Sequence, residues 1–205
     1  MLMKNMIRFM TIAMMLLVST GFTACSDDDD DDKASWPTTG NAVFDEPYLG
    51  FGASISKVKG VMSGQRLHKE GSTSGSPYLF YYGTKSVESY SYFFDKSTKK
   101  YSFSVVDIPI NSSNDPLLQQ TTTVLTSNYT FQYYDEEEGD FYFLTKDQKT
   151  EVMFTINVDD NDNISLLIFF LPNSSSRSVR QMQPLNGKQP AWSAINKAKE
   201  LITRH

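Results

Sequence analysis

Cysteine and histidine are scarce in this chain of 205 residues, which contains one cysteine, Cys25, and two histidines, His68 and His205. A single cysteine excludes an intramolecular disulfide and any metal site built from several thiolates. A Ser-His-Asp system would need His68, which lies in a polar stretch, or His205, the last residue of the sequence. No neighbouring motif supports either histidine. We therefore predict no catalytic residue, no metal site and no cofactor, and expect that the protein is not an enzyme.

A surplus of basic charge is also missing. The formal net charge is -5, and six of the 24 acidic residues lie together at positions 27–32. Residues 33–205 hold 18 acidic residues against 17 basic ones. A protein that follows a phosphate backbone presents a stripe of Lys and Arg, and this sequence contains none. We therefore expect no nucleic-acid partner.

The apolar run over residues 9–18 is too short to span a membrane, which takes about 20 apolar residues in a helix. It follows two basic residues, Lys4 and Arg8. A basic start followed by a short apolar run is typical of an export signal that is removed from the mature protein. We therefore predict a signal peptide over residues 1–24.

The residues that end this signal are Phe22, Thr23, Ala24 and Cys25. They resemble a bacterial lipobox, although Phe22 stands where Leu is commoner. The resemblance implies that the Cys25 sulfur is diacylated and that a signal peptidase cuts before it. Two acyl chains hold a protein stably on a membrane, whereas one chain binds only reversibly. We predict lipidation at Cys25; the alternative is an ordinary secretory signal in which this cysteine is incidental.

A run of aspartates follows the cysteine directly. Like charges this dense repel one another and stay extended, so the run can serve as a spacer within a tether over residues 25–42. Cys-Ser followed by acidic residues also resembles the export signal of Bacteroidota-type surface lipoproteins. The resemblance implies display on the outer membrane of a Gram-negative bacterium; a periplasm-facing anchor is the alternative. The candidate export signal consists of Ser26, Asp27, Asp28, Asp29, Asp30, Asp31 and Asp32.

Residues 43–205 predict a single globular α+β domain. The chain has 14 Phe and 11 Tyr, and aromatic enrichment favours sheet. Apolar residues at helical spacing predict helices near 54–63, 115–129 and 190–203. Alternating apolar and polar residues predict strands at 78–82, 87–94, 100–108, 141–145, 151–158 and 164–171. We expect an antiparallel sheet packed with about three helices, with two helix-plus-three-strand halves as one arrangement of it.

Two further resemblances concern the domain. The segment from Pro47 to Met62 is similar to one that recurs in uncharacterised lipoproteins of the same bacterial group, which implies no particular activity. A helix followed by a short antiparallel sheet also resembles the layout of outer-membrane assembly lipoproteins and of β-lactamase-inhibitor-like folds. Such a layout does not determine function.

Two acidic clusters and the aromatic residues are the remaining candidates for chemistry. Residues 159–163 begin like a calcium loop, but Ile164 stands where that loop needs Gly, so a turn is favoured. The acidic cluster at 135–140 is typical of a solvated loop rather than of paired catalytic carboxylates. Most aromatic residues fall on inward faces. Tyr81 and Trp192 are predicted to lie outside the core, where they could stack on sugar rings.

These observations favour one hypothesis over two others. The first is a lipid-anchored, surface-exposed binding or interaction module of the outer membrane, with a glycan or protein ligand. The second is a structural or assembly lipoprotein that faces the periplasm. The third is a hydrolase, which the shortage of histidine and the absence of any paired catalytic motif disfavour.

Overall fold

The structure is a computed structural model that describes residues 43–85 and 88–173. These residues fold into one antiparallel sheet of eight strands with two helices. The elements are, in chain order, α1 (Ile55–Val61), β1 (Leu67–Thr73), β2 (Ser76–Tyr82), β3 (Ser89–Phe94), β4 (Tyr101–Ile110), α2 (Pro116–Asn128), β5 (Thr130–Asp135), β6 (Asp140–Leu144), β7 (Thr150–Val158) and β8 (Ile164–Pro172). The strand order in the sheet is β1-β2-β3-β4-β8-β7-β6-β5. Each helix therefore precedes a run of four strands, and the last strands of the two runs, β4 and β8, pair at the centre.

The expectation of a sheet packed with about three helices, or of two helix-plus-three-strand halves, is wrong. The described residues form mostly sheet, and each half consists of one helix followed by four strands. The strands that the sequence does not predict, β1 and β5, are the two edges of the sheet. Edge strands face solvent along one side, so β1 is mostly polar and exposed, and bulges shift the register of both strands. The helix predicted at 190–203 lies outside the described residues.

The β1–β2 connection is a tight turn of two residues. Only Ser74 and Gly75 leave the ladder, and both have positive φ, 51° and 88°. Two successive residues with positive φ form the turn type whose twist matches a two-stranded antiparallel ribbon.

The six strands that the sequence predicts are confirmed as β2, β3, β4, β6, β7 and β8, with small differences at their ends.

The two helices are confirmed where apolar spacing predicts them, and each has a side-chain cap. The Ser54 hydroxyl accepts a hydrogen bond from the Lys57 N–H at 3.2 Å, and Asp115 accepts one from the Leu117 N–H at 2.9 Å. Such caps satisfy N–H groups that have no partner within the helix. In α2 the threonine hydroxyls donate to backbone carbonyls three and four residues earlier, as Thr122 does to Leu118 at 2.9 Å. The threonines are thus accommodated despite their low helix propensity.

Both helices pack on one face of the sheet, which we call the inner face. The core on this face is mainly aromatic and includes Tyr92, Phe154 and Phe170. The strand β8 lies at the centre of the sheet and is buried on both faces, since inward Leu166, Ile168 and Phe170 alternate with outward residues that are also buried.

The segment from Val43 to Ala53 lies against this core and is held by tyrosine hydroxyls. The backbone N–H of Asp45 donates to the Tyr90 hydroxyl at 2.8 Å. The Tyr129 hydroxyl donates to the Glu46 carboxylate at 2.7 Å. Buried backbone donors require acceptors, and the tyrosines supply them on a face that is otherwise apolar. Among the residues described here, no helix has the length and apolarity needed to cross a membrane.

Candidate binding surface

The face of the sheet opposite the helices, the outer face, carries one row of side chains across all eight strands. Its centre is apolar, and further aromatic residues lie towards both ends. The strand register places in this row Lys69, Phe80, Ser91, Val105, Phe169, Met153, Tyr142 and Tyr133.

The half of the outer face built by β1–β4 carries six aromatic rings, which we call the aromatic strip. The His68 ring centroid lies 4.6 Å from that of Tyr82 and 5.3 Å from that of Phe80. Phe93 and Phe103 stack at 4.6 Å with an interplanar angle of 10°. Tyr78 completes the strip at 6.2 Å from Phe93. The six members are His68, Tyr78, Phe80, Tyr82, Phe93 and Phe103.

Two cations lie over tyrosine rings of this strip. The Arg66 guanidinium is 4.3 Å from the Tyr82 centroid, and the Lys69 ammonium is 6.0 Å from the Tyr78 centroid. Both distances fall within the range of cation–π attraction, which holds the cations against the rings while their charge stays in solvent. The strip therefore combines flat apolar faces with positive charge at its rim.

The strip is more accessible than the core. His68 is exposed, and the other five rings are half-buried, whereas the aromatic residues of the inner face are almost fully buried. Ser89 and Ser91 lie beside these rings on the same face and add hydroxyl groups. A contiguous apolar patch with a polar rim is typical of a recognition surface rather than of random exposure.

A second, weaker candidate is an open groove of about 450 Å³ beside the start of α1. Two of its three lysines are engaged within the protein: Lys59 forms an ion pair with Glu70 at 2.6 Å, and the Lys99 ammonium donates to the Gly75 carbonyl at 3.3 Å. We therefore prefer the aromatic strip as the candidate site. The groove is lined by Ser54, Ile55, Ser56, Lys59, Thr98, Lys99 and Lys100.

Comparisons of the chain with protein-family models, with curated proteins and with solved structures find no match. The residues of the candidate lipidation site and export signal, Cys25, Ser26 and 27–32, lie outside the described residues. Lipidation and surface display therefore stay predictions from the sequence.

The expectation for Tyr81 is wrong, and Trp192 lies outside the described residues. Tyr81 is only 2% exposed and faces the inner core. Burial, with a smaller contribution from the charge of Glu70, raises the pKa of Tyr81 to about 12. Its neighbours Phe80 and Tyr82 take the outward positions instead. His68, to which the sequence assigns no role, lies in the aromatic strip, where its ring contacts Phe80 and Tyr82.

Both acidic clusters serve as turns. The Asp159 carboxylate accepts hydrogen bonds from the backbone N–H groups of Asn161 and Asn163 at 2.8 and 2.9 Å, and from the Asn163 side chain at 2.9 Å. The Asn163 side chain and these backbone donors lower the pKa of Asp159. Asp135 accepts from two backbone N–H groups in the β5–β6 turn in the same way. Within residues 43–85 and 88–173, no group of three or more His, Cys, Asp or Glu residues is placed to hold a metal ion.

Two buried acids near the β2–β3 connection are also structural. Asp45 forms an ion pair with Lys85 at 3.4 Å, and Glu88 accepts a hydrogen bond from the Lys85 backbone N–H at 2.6 Å. Each acid is 2% exposed, so neither carboxylate lines a cleft that a substrate could enter. These contacts tie the β2–β3 connection to the segment that contains Asp45.

Asp107 lies on the outer face and gives a prediction on pH dependence. Burial raises the pKa of Asp107, a hydrogen bond with Ser165 opposes this shift, and one carboxyl oxygen has no hydrogen-bond partner among the described residues. A raised pKa means that the neutral carboxyl favours the fold, and that this contribution is lost as the pH rises through the folded-state pKa. We expect Asp107→Asn to stabilise the domain at pH 7 by about 1 kcal/mol, with a smaller gain below about pH 4. Urea unfolding of the parent and the variant at both pH values measures this gain in stability. A gain at pH 7 no larger than that at low pH, or a loss of stability at pH 7, would contradict the raised pKa of Asp107.

Proposed function

We propose that this protein is a lipid-anchored outer-membrane lipoprotein, displayed at the cell surface, whose domain binds glycans through the aromatic strip. The observation that carries the proposal is the collection of six rings and two cations on one half of the outer face. The lipobox-like residues ending at Cys25 and the aspartates after it support the anchoring and the display.

The chemistry of the strip suits a sugar. The C–H face of a pyranose is apolar and flat enough to lie on an aromatic ring, while its edge is a ring of hydroxyl groups. Phe80 and Tyr82 offer the rings, and Ser89 lies beside Tyr82 to exchange hydrogen bonds with the hydroxyls. Arg66 can form paired hydrogen bonds with a carboxylate or sulfate, so acidic glycans are the expected class.

Binding is tested on a glycan array with purified residues 33–205. We expect selective binding of acidic glycans and a loss of about tenfold or more in affinity for the double variant Phe80→Ala/Tyr82→Ala, because each aromatic contact contributes about 0.5–1.5 kcal/mol. The matched control is Tyr133→Ala, which removes a ring that stacks on Tyr142 at 4.4 Å at the other edge of the same face. Equal loss in the control, or no binding to any glycan, would contradict the proposal.

Surface display is tested by replacing Asp27–Asp32 with asparagine and treating intact cells with a protease that cannot cross the outer membrane. The run carries about six negative charges that an export pathway would read. We expect cleavage of the native protein and protection of the substituted one, with equal lipidation of both. Protection of both proteins would favour the periplasm-facing assembly lipoprotein. Cleavage of both would mean that the aspartates act only as a spacer.

A further inference from the structure

The centre of the outer face is buried although both described helices pack on the inner face. Its five side chains, which we call the outer cluster, are only 2% to 7% exposed. In an open sheet a side chain has neighbours in the plane of the sheet but none above it. Burial this complete therefore requires a cover. The members of the outer cluster are Val105, Met153, Leu167, Phe169 and Leu171.

The length of chain beyond the described residues suits such a cover. The described part ends at Asn173, next to the end of the central strand β8, and 32 residues follow. Residues 174–189 can extend over about 50 Å, more than the width of an eight-stranded sheet at about 4.8 Å per strand. A helix over 190–203 would be about 21 Å long and would cross about four strands.

The apolar pattern of this segment matches the outer cluster. Residues at helical spacing form one apolar stripe, in which three alanines allow a close approach to the sheet and three larger side chains can pack between the residues of the cluster. The stripe consists of Ala191, Ala194, Ile195, Ala198, Leu201 and Ile202.

Charge favours one half of the outer face as the covered half, and it favours residues 174–205 over the tether at 25–42 as the cover. Residues 174–205 contain six basic residues and one acidic residue. In the β5–β8 half, burial raises the pKa of Tyr142, and the nearby charges of Asp140, Glu151 and Asp135 add to this rise. The other half carries Arg66 and Lys69 at its rim, which would repel a basic segment. The tether at 25–42, with its six aspartates, would be repelled by the acidic half.

We propose that residues 190–203 form an amphipathic helix that covers the outer face over β4, β8 and β7. This cover gives the sheet a second hydrophobic layer and leaves the strip residues of β1–β3 open beside it. The proposal does not rest on glycan binding, since it is argued from the burial of the outer cluster and not from the aromatic strip.

The test uses the full chain with Cys25→Ala and Met153→Cys, which leaves one thiol within the outer cluster. We expect this thiol to react slowly with a polar maleimide, and Ile195→Asp to speed the reaction about tenfold or more by opening the cover. The matched control is Asn196→Asp, which adds the same charge at the next position, on the polar side of the predicted helix. Fast reaction in the parent, or equal rates in the two variants, would overturn the proposal. Protection that weakens on dilution would assign the cover to a second copy and would also overturn it.

A cross-link keeps the test decisive if Ile195→Asp unfolds the domain. In the Cys25→Ala chain, cysteines at Met153 and Ala198 should form an intramolecular disulfide on mild oxidation. Cysteines at Met153 and Asn196 should not, because Asn196 lies on the opposite side of the predicted helix from the stripe. Equal cross-linking of both pairs, or of neither, would contradict the proposed helix.

Discussion

Replacing Cys25 with alanine is expected to shift the protein completely from the detergent phase to the aqueous phase and to abolish the incorporation of labelled lipid. The residues before Cys25 resemble a lipobox, and the sequence holds no other cysteine that could carry the acyl chains. Each buried CH₂ group contributes about 0.8 kcal/mol to membrane affinity, so the loss of two chains removes effectively all stable binding. Metabolic labelling with a fatty acid, followed by detergent phase partitioning, measures both effects.

The control for this experiment is Ser26→Ala, which changes the next residue and leaves the acceptor sulfur in place. We expect normal lipid incorporation in this variant. Lipid labelling that persists at the native level in Cys25→Ala would show that the lipobox assignment is wrong. Loss of labelling in both variants would point to a general failure of export rather than to a missing acceptor.

Elements with one apolar and one polar face could be predicted from the sequence. In β3, inward Tyr90 and Tyr92 alternate with serines, and the two faces differ strongly in hydrophobicity. The α2 helix could also be predicted, because the spacing of its apolar residues outweighs the weak helix propensity of its threonines. The central strand β8 was recognisable because it is apolar at nearly every position.

The edge strands and the aromatic strip could not be predicted, for two physical reasons. An edge strand such as β1 is stabilised by backbone pairing with one neighbour, so its side chains need no apolar pattern. In β2 both faces carry aromatic residues, and alternation therefore gives no contrast between them. Only the register with β3, which pairs Tyr81 with Tyr90, places Tyr81 inward and Phe80 outward.

The two faces of the sheet thus have different roles in the same domain. The inner face carries both helices and most of the core, including rings whose hydroxyls hold the segment at 43–53. The outer face is divided between a buried centre and the accessible strip. Variants in the aromatic strip should therefore change binding at little cost in stability, whereas variants on the inner face should destabilise the domain.

Phe170→Ala is expected to destabilise the domain by about 3–5 kcal/mol, which is a large part of the total stability of about 5–15 kcal/mol of a typical domain. Phe170 is 0% exposed, lies on the inner face of the central strand β8, and contacts the Tyr129 ring edge-on at a centroid distance of 6.1 Å. Its strand neighbours across the sheet are Ser104 and Val152, and Ser104 is too small to fill the space that the ring leaves. A cavity at this position cannot collapse without moving both halves of the sheet.

Urea unfolding measures this loss, with Phe103→Ala as the matched control. Phe103 is the same residue type on the adjacent strand β4, but it is half-buried on the outer face, where it stacks on Phe93. We expect its replacement to cost about 1 kcal/mol and to lower the unfolding midpoint by about 0.5 M, while Phe170→Ala lowers the midpoint by about 1–3 M. Equal losses in the two variants would mean that the aromatic strip contributes as much to stability as the inner face does, and would contradict the division of roles between them.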